Sequence, residues 1–314
     1  MPKYNLALVL GGGGVRCMAH AGVFLELEKE GIHPDLIVGS SIGSVMGAVY
    51  AYKKEAEFVH DFARKFSSNR LALLLERYMT TDPHNFFSKL LSFFSFTAGF
   101  VHSYWNQGFL SYSLVKRAYQ DVFGKDVLSS RTFNIEDCKI PFAALTADLN
   151  SGNAVILSRG DMAKAVFASS AMPGICKPVD WDDMSLLDGG VISLVPVLAA
   201  HLLGAKKIIA VDTETKIKAS IYKNSIETID TASSMRGYRW NMMETKMADI
   251  VLPLEGISEH SFYQFSHAGQ CVEIGRRAIR SKMKEVKDLI AARPDNAKIR
   301  RRKELETFYP YVII

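Results

Sequence analysis

Residues Leu36 to Ser44 read LIVGSSIGS. A short apolar run enters Gly39-Ser40-Ser41-Ile42-Gly43, and an apolar stretch containing alanine and glycine continues to about Lys53. This is the G-x-S-x-G pattern, in which a serine occupies a sharp turn between strand and helix with its hydroxyl pushed clear of the backbone. Gly39 and Gly43 have a steric purpose, because side chains there would collide with the adjoining strand and helix. Only one frame fits. Ser40 has Val38 two residues before it and Ser44 has Ile42, which leaves Ser41 as the candidate nucleophile. The same five residues also suit an ordinary strand–helix turn, so the surroundings decide.

Those surroundings alternate between strand and helix. Asn5–Leu10 reads as a strand, followed by a loop of four glycines and a helix over about Met18–Glu30. Asp35–Val38 is the second strand, followed by the Ser41 turn and its helix. Further strands are expected at Phe142–Thr146, Ala154–Leu157, Ser185–Leu187, Lys207–Val211 and Ile250–Leu252, with helices at Asp161–Ser169 and Val195–Leu203. Near-continuous apolar strands imply a mostly parallel sheet with helices on both faces, an α/β fold. Residues from about 55 to 115 break the rhythm and read as a helical cap, with ten aromatic residues between Phe86 and Tyr112. Such a segment completes a core, admits acyl chains or dips into a bilayer interface.

The composition, 48% hydrophobic and 23% charged, is that of a folded protein. Met1-Pro2-Lys3 leads into an apolar run too short for a secretory signal, and the expected location is cytoplasmic. Cys17, Cys138, Cys176 and Cys271 show no metal-ligand spacing, so neither a metal nor a disulfide framework is expected. From Arg276 to Lys303 twelve Lys or Arg face three acidic residues, a net +9 in a chain of +5. A division into residues 1–270 and a basic tail, 271–314, follows. The basic run reads as a solvated face or as an attraction to anionic lipid, roughly 1 kcal/mol per well-placed cation. No nucleic-acid module accompanies it.

Gly11-Gly12-Gly13-Gly14 follows the first strand and precedes a helix, where backbone N–H groups point at negative charge. The third glycine of a dinucleotide fingerprint falls on Arg16 or Cys17, and the Gly-Lys-Ser/Thr of a P-loop is missing. An oxyanion hole needs only two or three amides near the serine, and the serine turn comes one βα unit later. The serine also needs a base. Asp188-Gly189-Gly190 is the only Asp-Gly in the chain and suits either a hairpin turn or an active-site aspartate. His201, His260 and His267 follow it in the order of a Ser-Asp-His triad, but none has a recognisable loop context.

Together, LALVLGGGGVRCMAHAG (6–22), DLIVGSSIGSVMG (35–47), LTADLNSGNAVIL (145–157), GDMAKAVFASSAMPG (160–174), LLDGGVISLVP (186–196) and LGAKKIIAVD (203–212) resemble the patatin-like phospholipases. The resemblance implies a three-layer α/β/α fold and a Ser-Asp dyad without a catalytic histidine, metal or cofactor. Ser41 would be the nucleophile and Asp188 the base. Amides of Gly12, Gly13 and Gly14 would hold the oxyanion, with Arg16 supporting the loop and Gly39, Gly43, Gly189 and Gly190 shaping the turns. The substrate implied is a phospholipid or lysophospholipid ester. A catalytically silent lipid-binding relative and a Ser-His-Asp esterase are the alternatives. Cys17 stands where that family usually has glycine. A requirement for positive φ there would strain the cysteine by roughly 1–2 kcal/mol and weaken the oxyanion hole.

Overall fold

Alternation of side chains along two parallel strands sets the architecture. β1 (Tyr4–Leu10) and β2 (Leu36–Ser40) pair in parallel, with Leu10 opposite Gly39. Leu6, Leu8 and Leu10 enter one hydrophobic core, whereas Ala7 and Val9 enter another on the opposite face of the sheet. Apolar strands of this kind are stable only when both faces are covered. The glycine loop after β1 and the serine turn after β2 therefore leave the sheet at one edge.

The computed structural model describes residues 3–68, 133–214, 237–261, 263–306 and 310–314, with residues 73, 76, 112 and 235. Its remaining strands are β3 (Phe142–Asp148), β4 (Ala154–Leu157), β5 (Val179–Trp181), β6 (Met184–Asp188), β7 (Ala205–Asp212), β8 (Ile250–Pro253) and β9 (Tyr311–Ile313). They form one mixed sheet in the order β5-β6-β3-β2-β1-β7-β8, with β4 beside β3 and β9 beside β4. One face carries α1 (Ala19–Lys29), α2 (Ile42–Lys53), α3 (Ala56–Ser67), α4 (Met162–Ser169) and α7 (Ala268–Ala291). The other carries α5 (Val197–Leu202), against which α8 (Asn296–Glu306) packs. A further helix, α6, covers residues 237–245. This is the three-layer α/β/α arrangement.

Several expectations change. Asp188 closes β6, and a single 3-10 turn, Gly189–Val191, follows it in place of a hairpin. α5 begins at Val197 rather than Val195, with Pro196 as its N-cap. Of the expected cap, α3 is helical. Nine of the ten aromatics lie outside the described residues, and Tyr112 packs its ring 5.4 Å from Phe167. The expected boundary between residues 270 and 271 falls inside α7, where Cys271, Val272 and Ile274 are buried in the core. β9 pairs with β4, so the C-terminal residues are built into the sheet.

The basic run is also structural in large part. Arg280 bonds Glu26 at 2.6 Å and Lys287 bonds Glu30 at 2.6 Å, fastening α7 to α1. Arg302, fully buried, bonds Asp249 at 2.9 Å and donates to the carbonyls of Met247 and Lys206. Lys206 lies at the start of β7, across the length of the strand from the Ser41 edge. Arg280 and Lys287 thus join helix to helix, and Arg302 ties α8 to the starts of β7 and β8, away from the serine.

α1 and α7 meet without side chains between them at two points. A β-carbon on Gly22 would clash with the Val272 carbonyl, and one on Gly275 with that of Ala19. Both obstacles are backbone, which cannot swing aside. Gly275→Val should therefore separate the helices and lower stability by at least about 1–3 kcal/mol, measured by urea denaturation.

Candidate active site

β2 ends in a turn that only a strained residue can complete. Ser41 has φ 53° and ψ −135°, one of three described non-glycine residues with positive φ. Such a conformation costs of order 1–3 kcal/mol and persists only where the surroundings hold it. They do so densely. The Ser41 N–H donates to Ser169 Oγ at 3.0 Å, and Ser169 Oγ–H in turn donates to Leu145 O at 2.7 Å. Ser44 Oγ–H donates to Ser41 O at 2.7 Å. A β-carbon on Gly39 would sit 2.5 Å from Ser44 Cα, and one on Gly43 would strike the Gly11 carbonyl, so glycine is required on both sides of the turn.

The hydroxyl so presented meets Asp188. Ser41 Oγ–H donates to Asp188 Oδ2 at 2.7 Å, although the two residues are 147 positions apart. The sheet brings them together: β2 pairs with β3, and Thr146 of β3 lies opposite Asp188 of β6. The other carboxylate oxygen, Oδ1, accepts from Gly190 N at 2.8 Å. Gly189 is pressed so closely on the Leu145 carbonyl that a side chain has no room. Burial pushes the Asp188 carboxyl up to about 6, partly offset by the bonds from Ser41 and Gly190. No cation pairs with it among the described residues.

The glycine loop lies directly against this pair. A β-carbon on Gly12 would stand 2.9 Å from Ser41 Cβ. Its polar groups are used up in order. Gly11 N–H donates to Val211 O at 3.1 Å, and Gly11 O accepts from His20 Nε2 at 2.8 Å and from Cys17 Sγ at 3.3 Å. Gly12 O accepts from Thr213 Oγ1. The expectation for Gly12 as an oxyanion donor changes here, because its N–H donates to Leu194 O at 2.9 Å. Gly12 supplies space instead. Gly13 (φ 133°) and Gly14 (φ 62°) turn the chain into a 3-10 helix, and their N–H groups have no acceptor among the described residues.

Cys17 also differs from expectation. It lies within that 3-10 helix, its φ is not positive, and its buried side chain ties back to Gly11. Burial holds the thiol protonated, so it is no second nucleophile. Arg16 spans outward, its Nε donating to His260 O at 2.7 Å. The three histidines weighed as triad members bond neither Ser41 nor Asp188. His201 is buried on α5, and His260 and His267 meet each other, Nδ1 to Nδ1, at 2.9 Å. His20, which was not singled out from the sequence, lies beneath the loop. Burial lowers its pKa to about 4, keeping it neutral with the proton on Nε2.

A strained serine at a strand–helix turn, a buried carboxylate on its hydroxyl and unbonded glycine amides beside it define a serine-centred α/β site. The patatin-like phospholipase family model matches residues 8–201, which span all three features, and the chain belongs to that family. It is 30% identical over 226 residues to patatin-like phospholipase domain-containing protein 6 of Homo sapiens, covering 71% of this chain and 14% of that protein. It is 32% identical over 212 residues to neuropathy target esterase sws of Drosophila melanogaster, covering 66% and 13%. With lysophospholipase NTE1 of Candida albicans the identity is 30% over 207 residues, covering 66% and 13%. The chain thus spans about one seventh of these relatives. VipD from Legionella pneumophila aligns at TM-score 0.42 with 10% identity, over 87% of this chain and 67% of that one.

The raised Asp188 pKa has a consequence for stability. The folded state holds this proton more tightly than the unfolded chain, whose aspartate titrates near its ordinary 3.8. The benefit is complete below about pH 4 and is lost as pH rises through about 6, costing roughly 3 kcal/mol when ionised. Asp188→Asn should therefore melt at a higher temperature than wild type at pH 8, with the gap closing toward pH 4 in thermal denaturation. Equal melting points at pH 8 would contradict the desolvation argument.

Proposed function

We propose that the chain is a lipid acyl hydrolase that cleaves carboxylic esters of phospholipids or lysophospholipids through an acyl ester on Ser41. The observation that carries this reading is the 2.7 Å hydrogen bond from Ser41 Oγ to Asp188 Oδ2 at the strained turn. Membership of the family and the lysophospholipase named among its relatives support the substrate class.

In this mechanism Asp188 accepts the Ser41 proton as Oγ attacks the ester carbonyl. The oxygen of that carbonyl gains negative charge and is received by the Gly13 and Gly14 N–H groups, which have no acceptor among the described residues. The positive end of α2 lies beside Ser41 and adds to the same field. Collapse expels the alcohol, which takes the proton back from Asp188. Water then enters, Asp188 removes its proton, and the acid leaves as Ser41 regains its hydrogen. No step calls on a metal or a histidine.

The glycine loop and the Ser41 turn share one edge of the sheet, and lipid is proposed to enter from there. No helix among the described residues is long and apolar enough to cross a membrane.

A fluorophosphonate probe should label Ser41 in wild type and leave Ser41→Ala unlabelled, which separates a hydrolase from a silent lipid binder. Ser41→Ala and Asp188→Asn should each lower hydrolysis of a lysophospholipid, followed by mass spectrometry, by about 10³-fold or more with the fold retained. Because the base must be ionised, kcat/KM should fall below about pH 6 with a one-proton slope, in line with the Asp188 pKa. Substantial turnover by either variant would defeat the dyad, and a loss on replacing His260 or His267 equal to that of Asp188→Asn would favour a triad.

A further inference from the structure

Glu244 on α6 is completely buried, yet it belongs to no motif and touches neither Ser41 nor Asp188. Its Oε2 accepts from Ser193 Oγ at 2.6 Å and from Trp240 Nε1 at 2.8 Å, and its Oε1 accepts from Leu198 N at 2.9 Å. All three partners are donors, an arrangement that suits a carboxylate and not a carboxylic acid. Burial pushes the Glu244 carboxyl up to about 7. Neutral groups alone hold the charge, since no cation pairs with it among the described residues. A bare hydrophobic contact would fill the same space at lower cost, so a buried carboxylate here calls for a reason.

The reason lies in what Ser193 and its neighbour hold. Ser193 O accepts from Ser40 Oγ at 3.0 Å, one residue before the nucleophile. Leu194 O accepts from Gly12 N, the bond that leaves Gly13 and Gly14 as the first unbonded amides. Ser193 N donates to Gly189 O at 2.9 Å, which closes the turn carrying Asp188. Residues 193–194 therefore touch the nucleophile turn, the glycine loop and the base turn at once. Glu244 fastens that segment at Ser193 and braces it against the first turn of α5 at Leu198.

We propose that Glu244 is a positioning residue for the Ser41–Asp188 site, setting the glycine loop and both turns through the Ser193–Leu194 segment. This rests on the hydrolase reading above and adds a residue to it. Glutamine at position 244 keeps the shape but replaces one acceptor oxygen with an NH2 that faces a donor. Ser193→Ala removes the first link and leaves Glu244 in place.

The test uses the full chain as wild type, Glu244→Gln, Ser193→Ala and the double variant. Short-chain nitrophenyl ester kinetics, Ser41 labelling by fluorophosphonate, thermal melting and amide hydrogen exchange at Gly12 are measured on each. Both single variants should lower kcat by about tenfold to a hundredfold. KM should stay within about twofold of wild type, the split expected when transition-state contacts are misplaced. The double variant should be no slower than the worse single one, because the two residues act in series. Exchange at Gly12 should quicken in every variant, reporting the loosened bond to Leu194 without any turnover. If Glu244→Gln does not fold, Ser193→Ala carries the same readouts. Wild-type kcat in Ser193→Ala, or a lowered melting temperature with kcat and Gly12 exchange unchanged, overturns the inference. A wild type that neither labels nor hydrolyses defeats the hydrolase reading instead, and Gly12 exchange still decides whether Glu244 holds the loop.

Discussion

Asp188 carries a charge into a buried place where no described cation compensates it. Its two oxygens are held by one hydroxyl and one backbone amide, from Ser41 and Gly190. That shortage of partners makes the group a stronger base than an exposed aspartate, and it also makes the folded chain less stable at neutral pH than an uncharged side chain would. In the proposed mechanism, activity and stability are thus opposed at one atom pair. A surrounding scaffold must supply the difference, and the sheet does so by fixing the strands from which both residues emerge.

The scaffold works by spending polar groups away from the site. Gly11 and Gly12 have both N–H and C=O groups bonded to protein, through Val211, His20, Cys17, Leu194 and Thr213. Bonding stops at Gly13 and Gly14, where the backbone turns through two positive φ angles. An amide without a protein partner is costly when buried and useful when a developing oxyanion can receive it. In the proposed mechanism, the boundary between bonded and unbonded amides is where an oxyanion would be received, and Gly12 lies on the bonded side of it.

Much of this was legible in the residue order. Gly39, Ser41 and Gly43 pointed to a turn that the backbone angles of Ser41 now describe, and the apolar runs at 5–10 and 35–38 placed two loops at one edge. Local pattern carries such information because a strand–turn–helix is a local object. Asp188 was ambiguous, since Asp-Gly also encodes hairpins; the 3-10 turn after it and its bond from Ser41, 147 positions away, distinguish the cases. Ser169, Thr213 and Glu244 left no mark, because each acts on a segment far away in the chain, and His20 left none because its one bond runs to a backbone carbonyl. β5 and β9, three residues each, were too short to show a period. The division at residue 270 misread charge as a domain signal. The cations of α7 lie on the solvent side of a helix whose opposite face, with Gly275 and Cys271, is core.

Cys17 shows why a departure from a family pattern must be judged by conformation. Glycine is needed where φ is positive or a neighbour leaves no room, and Gly13 and Gly14 meet the first condition. Cys17, inside the 3-10 helix, meets neither: its side chain is fully buried and its Sγ reaches the Gly11 carbonyl. That carbonyl then has two donors, Cys17 Sγ and His20 Nε2. Cysteine at position 17 thus adds a second restraint on the Gly11 carbonyl and places no strain on the backbone of the loop.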